Sequence, residues 1–311
     1  MHLVVAALIA IAQGGDSVLD RIQARIAQEP GAQVGLAYVD LASGDTLYIN
    51  PDTSFHAAST MKVPVMIELF RRANTGSFRM NQGLLLVNQF ASIVDGSSYS
   101  LDLASDSDSS LYHRLGERVR VDTLLRLMIT RSSNFATNTL ITLVGADAVT
   151  RTMRSLGAQR IQVLRGVEDG KAFDKGMNNT TTARDLSIIL RAIEEGRAAP
   201  PAATREMLGI LSAQEFNEKI PAGLPAGTRV AHKTGEITAV SHDAAIVYPA
   251  GRKPYVLVVL TRGISDGTKS SKLIADISAI VYAHNAAVAA GRAGRAAGTG
   301  GAVANSAHSA N

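Results

Sequence analysis

The chain has 311 residues, of which 46% are hydrophobic, so it is long enough for one large domain or two closely packed subdomains. Its formal net charge is +4, but the basic residues are scattered and no aromatic residues alternate with them, which argues against a nucleic-acid surface. Cysteine is absent, and this excludes disulfides, thiolate metal sites and a cysteine nucleophile. The seven histidines lack the short spacings of metal-binding motifs, so we expect neither a metal nor a cofactor.

A short apolar segment opens the chain over residues 1–15. It is too short to span a bilayer, and Ala10-Ile11-Ala12 resembles the small-x-small site at which signal peptides are cleaved. We therefore predict a signal peptide and an exported protein, periplasmic or secreted, without a stable membrane anchor. The alternative is a short buried helix or strand.

The apolar periodicity predicts helices and strands in separate blocks along the chain. In order, we expect a helix at 16–28, strands at 33–39 and 46–50, helices from 59 to about 212, strands at 229–237, 242–248 and 255–261, and a helix from 269 to about 285. A polar segment rich in Ser, Asp and Gly, residues 95–110, interrupts the helical block, and we expect it to be a surface loop.

This order predicts an α/β fold in which both chain ends contribute to one antiparallel sheet between helical layers, an αβα sandwich, with an all-α subdomain beside it. Residues 16–285 then form a single catalytic domain, with an α/β part at 16–55 and 214–285 and a helical part at 56–213. Residues 286–311 contain almost no large apolar side chains, so we expect a disordered tail.

Ser59 and Lys62 lie three residues apart at the predicted start of a helix. This spacing places both side chains on one face, about 5–6 Å apart at Cβ. A neutral lysine amine there is able to take the hydroxyl proton as the serine attacks a carbonyl, and the helix N-terminus favours the negative charge that develops. The pattern is common by chance, and the alternative is that Ser59 only caps the helix.

Two further polar segments occur downstream. Ser132 and Asn134 lie at a junction between predicted helices, where they are able to project into a cleft, although Ser-Ser-Asn is also an ordinary helix cap. Lys233, Thr234 and Gly235 lie on the first late strand, where a cation, a hydroxyl and a glycine suit a carboxylate-bearing ligand; the alternative is a solvent-facing edge lysine.

The three motifs together, in this order, resemble the serine β-lactamases and penicillin-binding proteins, and the layout resembles class A β-lactamases. The resemblance implies that Ser59 is acylated, Lys62 accepts its proton and Ser132 relays a proton to the β-lactam nitrogen. It further implies that Asn134 binds the acyl side-chain amide, that Lys233 and Thr234 hold the substrate carboxylate, and that the backbone N–H groups of Ser59 and Glu236, beside Gly235, form the oxyanion hole.

The loop that carries the deacylating base in class A enzymes departs from its usual pattern. Glu168 is the candidate general base, with Asp169 as a weaker rival, but one extra residue separates Glu168 from Arg165 and the usual aromatic is missing. Ala172 stands where asparagine is expected, and Asn178 or Asn179 is a possible substitute. The alternative is that Glu168 is a surface carboxylate.

Two other positions depart from the family. Ser133 replaces an aspartate that ties down the Ser-Asp-Asn loop, and Ser241-His242 stands where many class A enzymes carry a carboxylate-binding arginine. Arg262, Arg229 or a protonated His242 are the candidates for that cation.

We therefore predict a serine β-lactamase, a monomer whose partner is a small β-lactam. The alternatives are a D-alanyl-D-alanine carboxypeptidase or transpeptidase, which performs the same chemistry on peptides, and a penicillin-binding sensor that does not hydrolyse its ligand.

Overall fold

The computed structural model describes residues 17–300, with side chains described through Arg292, so the predicted signal peptide lies outside the described residues. The described helices are Val18–Ile26 (α1), Lys62–Asn74 (α2), Val121–Thr130 (α3), Asn134–Val144 (α4), Ala146–Ser155 (α5), Gly170–Asp174 (α6), Ala183–Glu194 (α7), Pro201–Ser212 (α8) and Gly267–Gly300 (α9). The described strands are Gln33–Asp40 (β1), Thr46–Ile49 (β2), Phe55–His56 (β3), Gly83–Leu85 (β4), Phe90–Ala91 (β5), Ser98–Tyr99 (β6), Arg118–Arg120 (β7), Thr180–Thr181 (β8), Arg229–Ile237 (β9), Val240–Tyr248 (β10) and Tyr255–Arg262 (β11). Short 3-10 helices occur at Ala58–Met61, Leu103–Ser105, Ser110–Arg114 and Pro221–Gly223.

The main sheet has the strand order β2-β1-β11-β10-β9. Neighbouring strands are antiparallel, and β1 pairs with β11 so that Gln33 lies opposite Arg262. The sheet therefore joins the N-terminal strands to the C-terminal strands, as the order of predicted elements required. Helices α1 and α9 cover one face and α7 covers the other, which confirms the predicted αβα layers.

Strand β11 explains why the sheet is stable between two helical layers. Its apolar residues are almost continuous, and alternate side chains enter two different cores because strand side chains alternate in direction. Toward α7 and the helical part point Val256, Val258 and Leu260, and toward α1 and α9 point Tyr255, Leu257 and Val259. Full burial of such side chains contributes about 1.5–3 kcal/mol each.

The helical part is built around α2. The side chains from Lys62 to Phe70 are all buried, since α3, α4, α5 and α8 pack around this helix. A helix that is buried on every side lies in the middle of its subdomain. The position of α2 matters for function, because this helix leaves the sheet directly after the 3-10 turn that carries Ser59.

The prediction of a disordered tail from residue 286 is wrong for residues 286–300, where α9 continues to Gly300. The alanine-rich composition lowers apolar burial but favours helix propagation, and the side chain of Arg292 donates to Asp40, which ties the extension to β1. Over Gly267–Arg292 this helix is long and apolar enough to cross a membrane. Its face with Leu273 and Ile277 is fully buried against the sheet, however, so it is a core helix of the domain.

The polar segment 95–110 is more ordered than a solvated loop. It contributes β6, which pairs with β5, and two short 3-10 turns. Asp108 within it is only 5% exposed and lies 3.6 Å from Arg131. The segment therefore packs onto the helical part, close to the junction of α3 and α4.

Candidate active site

Ser59 lies in the 3-10 turn Ala58–Met61, one turn before α2 begins at Lys62. The predicted helix thus starts as a 3-10 turn rather than as an α-helix. Ala58 has a φ of +44°, a left-handed conformation that is uncommon for a residue with a Cβ. Such backbone conformations cost about 1–3 kcal/mol and concentrate at functional sites, where surrounding contacts enforce them.

The amine of Lys62 is fully buried and points at the junction of α3 and α4. It donates to Ser132 Oγ over 3.1 Å, to Asn134 Oδ1 over 2.9 Å, and also to the backbone carbonyl of Ser132. Burial lowers the pKa of Lys62 to about 7, although the nearby carboxylates of Asp106 and Glu168 favour its charged form. An amine with this pKa is available as a proton acceptor near neutral pH.

Ser132 connects the two predicted lysines. Its hydroxyl accepts a hydrogen bond from Lys233 Nζ over 3.0 Å, and the same oxygen accepts from Lys62. Ser132 has a φ of +58°, so its backbone is held in the left-handed region, as at Ala58. Burial, followed by the positive charges of Lys62 and Lys219, holds the pKa of Lys233 well below its usual value.

Strand β9 passes very close to the Ser59 turn at Gly235. A Cβ added at this glycine would lie 3.0 Å from the backbone nitrogens of Ser59 and Thr60, nearer than side chains normally approach. A side chain at this position would push the strand and the turn apart by a few tenths of an ångström, so glycine permits the close contact. This contact brings the backbone of Glu236, the next residue on β9, alongside Ser59.

One cavity of about 270 Å³ lies between the two parts of the domain. It is lined by Ser59, Ser105, Ser107, Ser132, Asn134, Phe216, Glu218, Lys219, Thr234, Gly235 and Glu236. Lys62 and Lys233 reach its wall through Ser132. The structure thus brings the three sequence motifs together around one space. No cluster of His, Asp and Glu suited to a metal ion occurs within the described part of the chain.

Lys219 is a site residue that the sequence analysis missed. It lines the cavity, is only 1% exposed, and its amine lies 3.5 Å from both Glu218 and Glu236. The lysine sits in an irregular segment before β9, without a motif around it, so only the fold reveals its position. It gives the cavity a cation on the side of Thr234.

The three candidates for a carboxylate-binding cation lie elsewhere. Arg262 packs over Phe55 and donates to Gln33, and Arg229 stacks on the ring of Tyr248. His242 is fully buried, its Nε2 lies 2.8 Å from the carbonyl of His56, and burial lowers its pKa to about 4. None of the three lines the cavity, although His242 pairs with the cavity residue Gly235, so the expectation that one of them serves the site is wrong.

Glu168 binds two residues that line the cavity, although it is not itself part of the lining. Its Oε1 accepts from Asn134 Nδ2 over 2.7 Å, and its Oε2 accepts from Ser105 Oγ over 3.2 Å. The side chain is exposed and the residue has a φ of +62°. Glu168 is therefore hydrogen-bonded to Asn134 of the candidate site and is not an isolated surface carboxylate.

Asp169, the other candidate for the general base, is held by hydrogen bonds within the fold. Asp169 is 1% exposed and caps α6 by accepting from Ala172, while it also accepts from Ser92 and from the backbone of Ile93. These bonds hold its carboxylate away from the cavity, so the reading of Asp169 as a base is wrong.

Asn178 and Asn179 bind Arg165 and thereby join the two ends of the loop that carries Glu168. Asn179 exchanges hydrogen bonds with the backbone of Arg165, and Asn178 accepts from the Arg165 guanidinium over 2.9 Å. Neither residue replaces the asparagine that is missing at position 172, because both side-chain amides are hydrogen-bonded to Arg165.

The missing aromatic has a packing explanation. A Cβ at Gly166 would lie 2.3 Å from Asn138 Oδ1, so a side chain there would displace the Asn138 amide. The Asn138 amide instead accepts from the Val167 backbone over 2.6 Å and donates to its carbonyl over 3.0 Å. Asn138 therefore holds the loop backbone directly before Glu168.

Comparison with known proteins agrees with this geometry. A sequence profile described as the β-lactamase enzyme family matches residues 17–285. A β-lactamase of Streptomyces albus G is 26% identical over 273 residues, which cover 86% of this chain and 85% of that protein.

Solved structures give the same result. PBP-A superposes with a TM-score of 0.75 at 27% identity, over 86% of this chain and 95% of that one. An ancestral class A β-lactamase superposes with a TM-score of 0.74 over 86% of this chain and 100% of that one; at 23% identity, this likeness bears on the fold alone. The family profile spans both parts of the domain and every motif around the cavity, and the chain therefore belongs to the β-lactamase enzyme family.

Proposed function

We propose that the protein hydrolyses β-lactams through an acyl-enzyme on Ser59. The observation that carries the proposal is the shared position of Ser132, whose hydroxyl is bound by the amines of Lys62 and Lys233 in the wall of the cavity that Ser59 lines. The proposed nucleophile and proton relay thus line one cavity, and the proposed proton acceptor binds the relay in its wall, an arrangement that suits acyl transfer.

Acylation begins when neutral Lys62 takes the proton of Ser59 and Oγ attacks the lactam carbonyl. The negative charge that develops on the carbonyl oxygen is stabilised by the backbone N–H groups of Ser59 and Glu236, on the turn and the strand that meet at Gly235. As the carbon–nitrogen bond breaks, Ser132 passes a proton to the lactam nitrogen and is reprotonated from Lys62. No cofactor takes part in these steps.

The substrate carboxylate binds at the other end of the cavity. Lys233, Thr234 and Lys219 supply two amines and a hydroxyl there, and burial disfavours the charged form of Lys233 until an anion arrives. Asn134 binds the acyl side-chain amide in addition to its bonds to Lys62 and Glu168.

Deacylation uses Glu168 as the general base for water. The carboxylate is exposed beside two cavity residues, and it retains lone pairs beyond those that accept from Asn134 and Ser105. Removal of a positioned general base typically slows its step by about 10²–10⁴-fold.

The test combines a chromogenic cephalosporin with mass spectrometry of the protein. We expect turnover that disappears in S59A, and a long-lived adduct of one β-lactam mass in E168Q, because that variant acylates without activating water. E206Q serves as the matched control, because Glu206 is an exposed carboxylate on α8 that does not line the cavity, and this variant should turn over without accumulating the adduct. Wild-type turnover in S59A would overturn the proposal.

A second candidate function is hydrolysis or transfer of D-alanyl-D-alanine peptides. Two observations favour it: Glu168 is exposed, and the fold resembles PBP-A, a variant of which was solved as an acyl-enzyme complex with penicillin G. This candidate predicts release of D-alanine from a pentapeptide and a penicillin adduct that already persists in the wild type. A persistent adduct without D-alanine release would instead indicate a penicillin-binding sensor.

A further inference from the structure

The junction between α3 and α4 carries both side chains that bind Lys62, namely Ser132 and Asn134. A helix begins with backbone N–H groups that have no partner within the helix. At α4, Ser133 Oγ accepts from the backbone of Ala136 over 3.3 Å, which leaves the N–H groups of Asn134 and Phe135 to be satisfied from elsewhere.

Asp106, from the polar segment 95–110, satisfies both. Its Oδ1 accepts from the Asn134 backbone over 2.9 Å, and its Oδ2 accepts from the Phe135 backbone over 2.9 Å. A carboxylate at a helix N-terminus is also favoured by the helix dipole. A distant loop thus supplies a negative charge at a junction where Ser133 brings none.

The carboxylate of Asp106 is itself held in place. Tyr112 donates its hydroxyl to Oδ2 over 3.0 Å, and the backbone of Asp108 donates to Oδ1 over 3.1 Å. The ring of Tyr112 packs against that of Phe135, with centroids 5.0 Å apart. The tyrosine that holds Asp106 therefore packs on the core of the helical part. All four bonds leave Asp106 little freedom to move.

The charge of Asp106 also acts on Lys62. The charged groups that face the Lys62 amine are Asp106 from the polar segment, Glu168 from its loop and Lys233 from β9. The two carboxylates raise the pKa of Lys62, with Asp106 the larger contributor. Asp106 therefore acts on the site in two ways, through the backbone that carries Ser132 and Asn134 and through its field.

We propose that Asp106 is a positioning residue for the reaction: it fixes the 132–134 segment around Lys62 and supplies the negative charge that balances this amine. The proposal rests on the proposed function for its link to acylation, but its contacts are independent of substrate. The polar segment 95–110 thereby takes part in the site through Asp106.

The experiment compares D106N, which removes the charge, with D106E, which keeps the charge and shifts the carboxylate. D102N is the matched control, because Asp102 lies in the same segment and caps only the Leu103–Ser105 turn. Two quantities are measured: the titration midpoint of Lys62 by NMR of isotope-labelled lysine, and the pH profile of kcat/KM for a β-lactam.

In D106N we expect the Lys62 midpoint to fall by about 0.5–1 pH unit, because an attractive charge is lost. We also expect the plateau of kcat/KM to fall about tenfold, because displaced partners of Lys62 slow acylation. D106E should lower the plateau but keep the midpoint, and D102N should change neither. A loss of fold stability alone would not move the midpoint.

An unchanged midpoint and plateau in D106N, or equal shifts in D102N, would overturn the proposal. Should D106N fail to fold, as judged by circular dichroism, a wild-type plateau in D106E would overturn it instead. Failure of the proposed function is distinguishable from failure of this proposal. If the protein is not acylated by β-lactams, the wild type shows no turnover, but the NMR midpoint of Lys62 still reports whether Asp106 acts on this amine.

Discussion

At the scale of residues, the site is a group of amines taken out of water. Lys62 and Lys233 are fully buried, and Lys219 is 1% exposed. Each amine would be costly to bury in its charged form without partners. The site meets this cost by lowering the pKa of Lys62 and Lys233, with partial compensation from nearby carboxylates. Burial thus makes Lys62 available as a base, and the buried amines together attract an anionic group of a ligand.

The pKa of Lys62 predicts how acylation depends on pH. Burial lowers this pKa to about 7, so the amine loses its proton as the pH rises through 7. Because the neutral amine is the base, kcat/KM for a β-lactam should fall on the acidic side with a midpoint near pH 7. The measurement is a pH profile of kcat/KM, which reports groups of the free enzyme.

The variant K62R provides the comparison for this profile. Arginine stays protonated throughout the accessible range, so it cannot act as the base. We expect acylation to be slow at every pH, without the limb near pH 7. A K62R profile that retained this limb would assign it to another group.

At the scale of elements, the decisive contact is that between β9 and the 3-10 turn of Ser59. Strained backbone occurs at Ala58, within this turn, and at Ser132, which lines the same cavity. The strand and the turn come from distant parts of the sequence, yet no side chain separates them at Gly235. The oxyanion-binding N–H groups of the proposed mechanism depend on this close packing.

The variant G235A tests that packing. The new methyl group would lie 3.0 Å from the nitrogen of Ser59 and 3.2 Å from Cβ of Ala58, so the strand and the turn must move apart by a few tenths of an ångström. We expect kcat/KM to fall by about 10–100-fold, because oxyanion stabilisation requires donors at fixed positions. Steady-state kinetics with a chromogenic cephalosporin measures the loss.

The control is G209A in helix α8, where an added Cβ meets nothing within 4 Å. Alanine there improves helix propensity, so activity should remain and stability should rise slightly. Equal activity of G235A and the wild type would show that the close approach is not needed.

At the scale of the whole molecule, the sheet unites the two ends of the chain. Strand β1 pairs with β11, and the core on each side of the sheet contains residues from both termini. The helical part is attached to this sheet through α2 and α7, both of which enter the same hydrophobic core. Unfolding should therefore be cooperative across the described domain.

The variant L257A tests this cooperativity. Leu257 is fully buried in the middle of β11, so its truncation leaves a cavity and should lower the free energy of unfolding by about 2–5 kcal/mol. Urea denaturation, followed by circular dichroism and by tyrosine fluorescence, measures it. L115A is the control, since Leu115 is 51% exposed and should lose less than about 0.5 kcal/mol. Two separate transitions would contradict a single cooperative unit.

Much of the fold could be predicted because it follows from local patterns. The apolar run of β11 and the helical periodicity of α1 and α7 identify these elements without any neighbour. Short strands such as β3 and β8 were not predicted, because two residues carry no period and pair only after the chain has folded. The helical extension after residue 285 was missed because its composition offers little to bury.

For the site, the sequence by itself determined which residues carry reactive groups: Ser59, Lys62, Ser132 and Lys233 stand in motifs whose spacing is fixed by the turn of a helix or the pleat of a strand. Only the tertiary structure decided what surrounds them. Lys219 and Asp106 reach the site from irregular segments, and Arg229, Arg262 and His242 are kept from it by contacts on the sheet. Position in space, burial and the resulting pKa depend on contacts between distant segments, which no local pattern encodes.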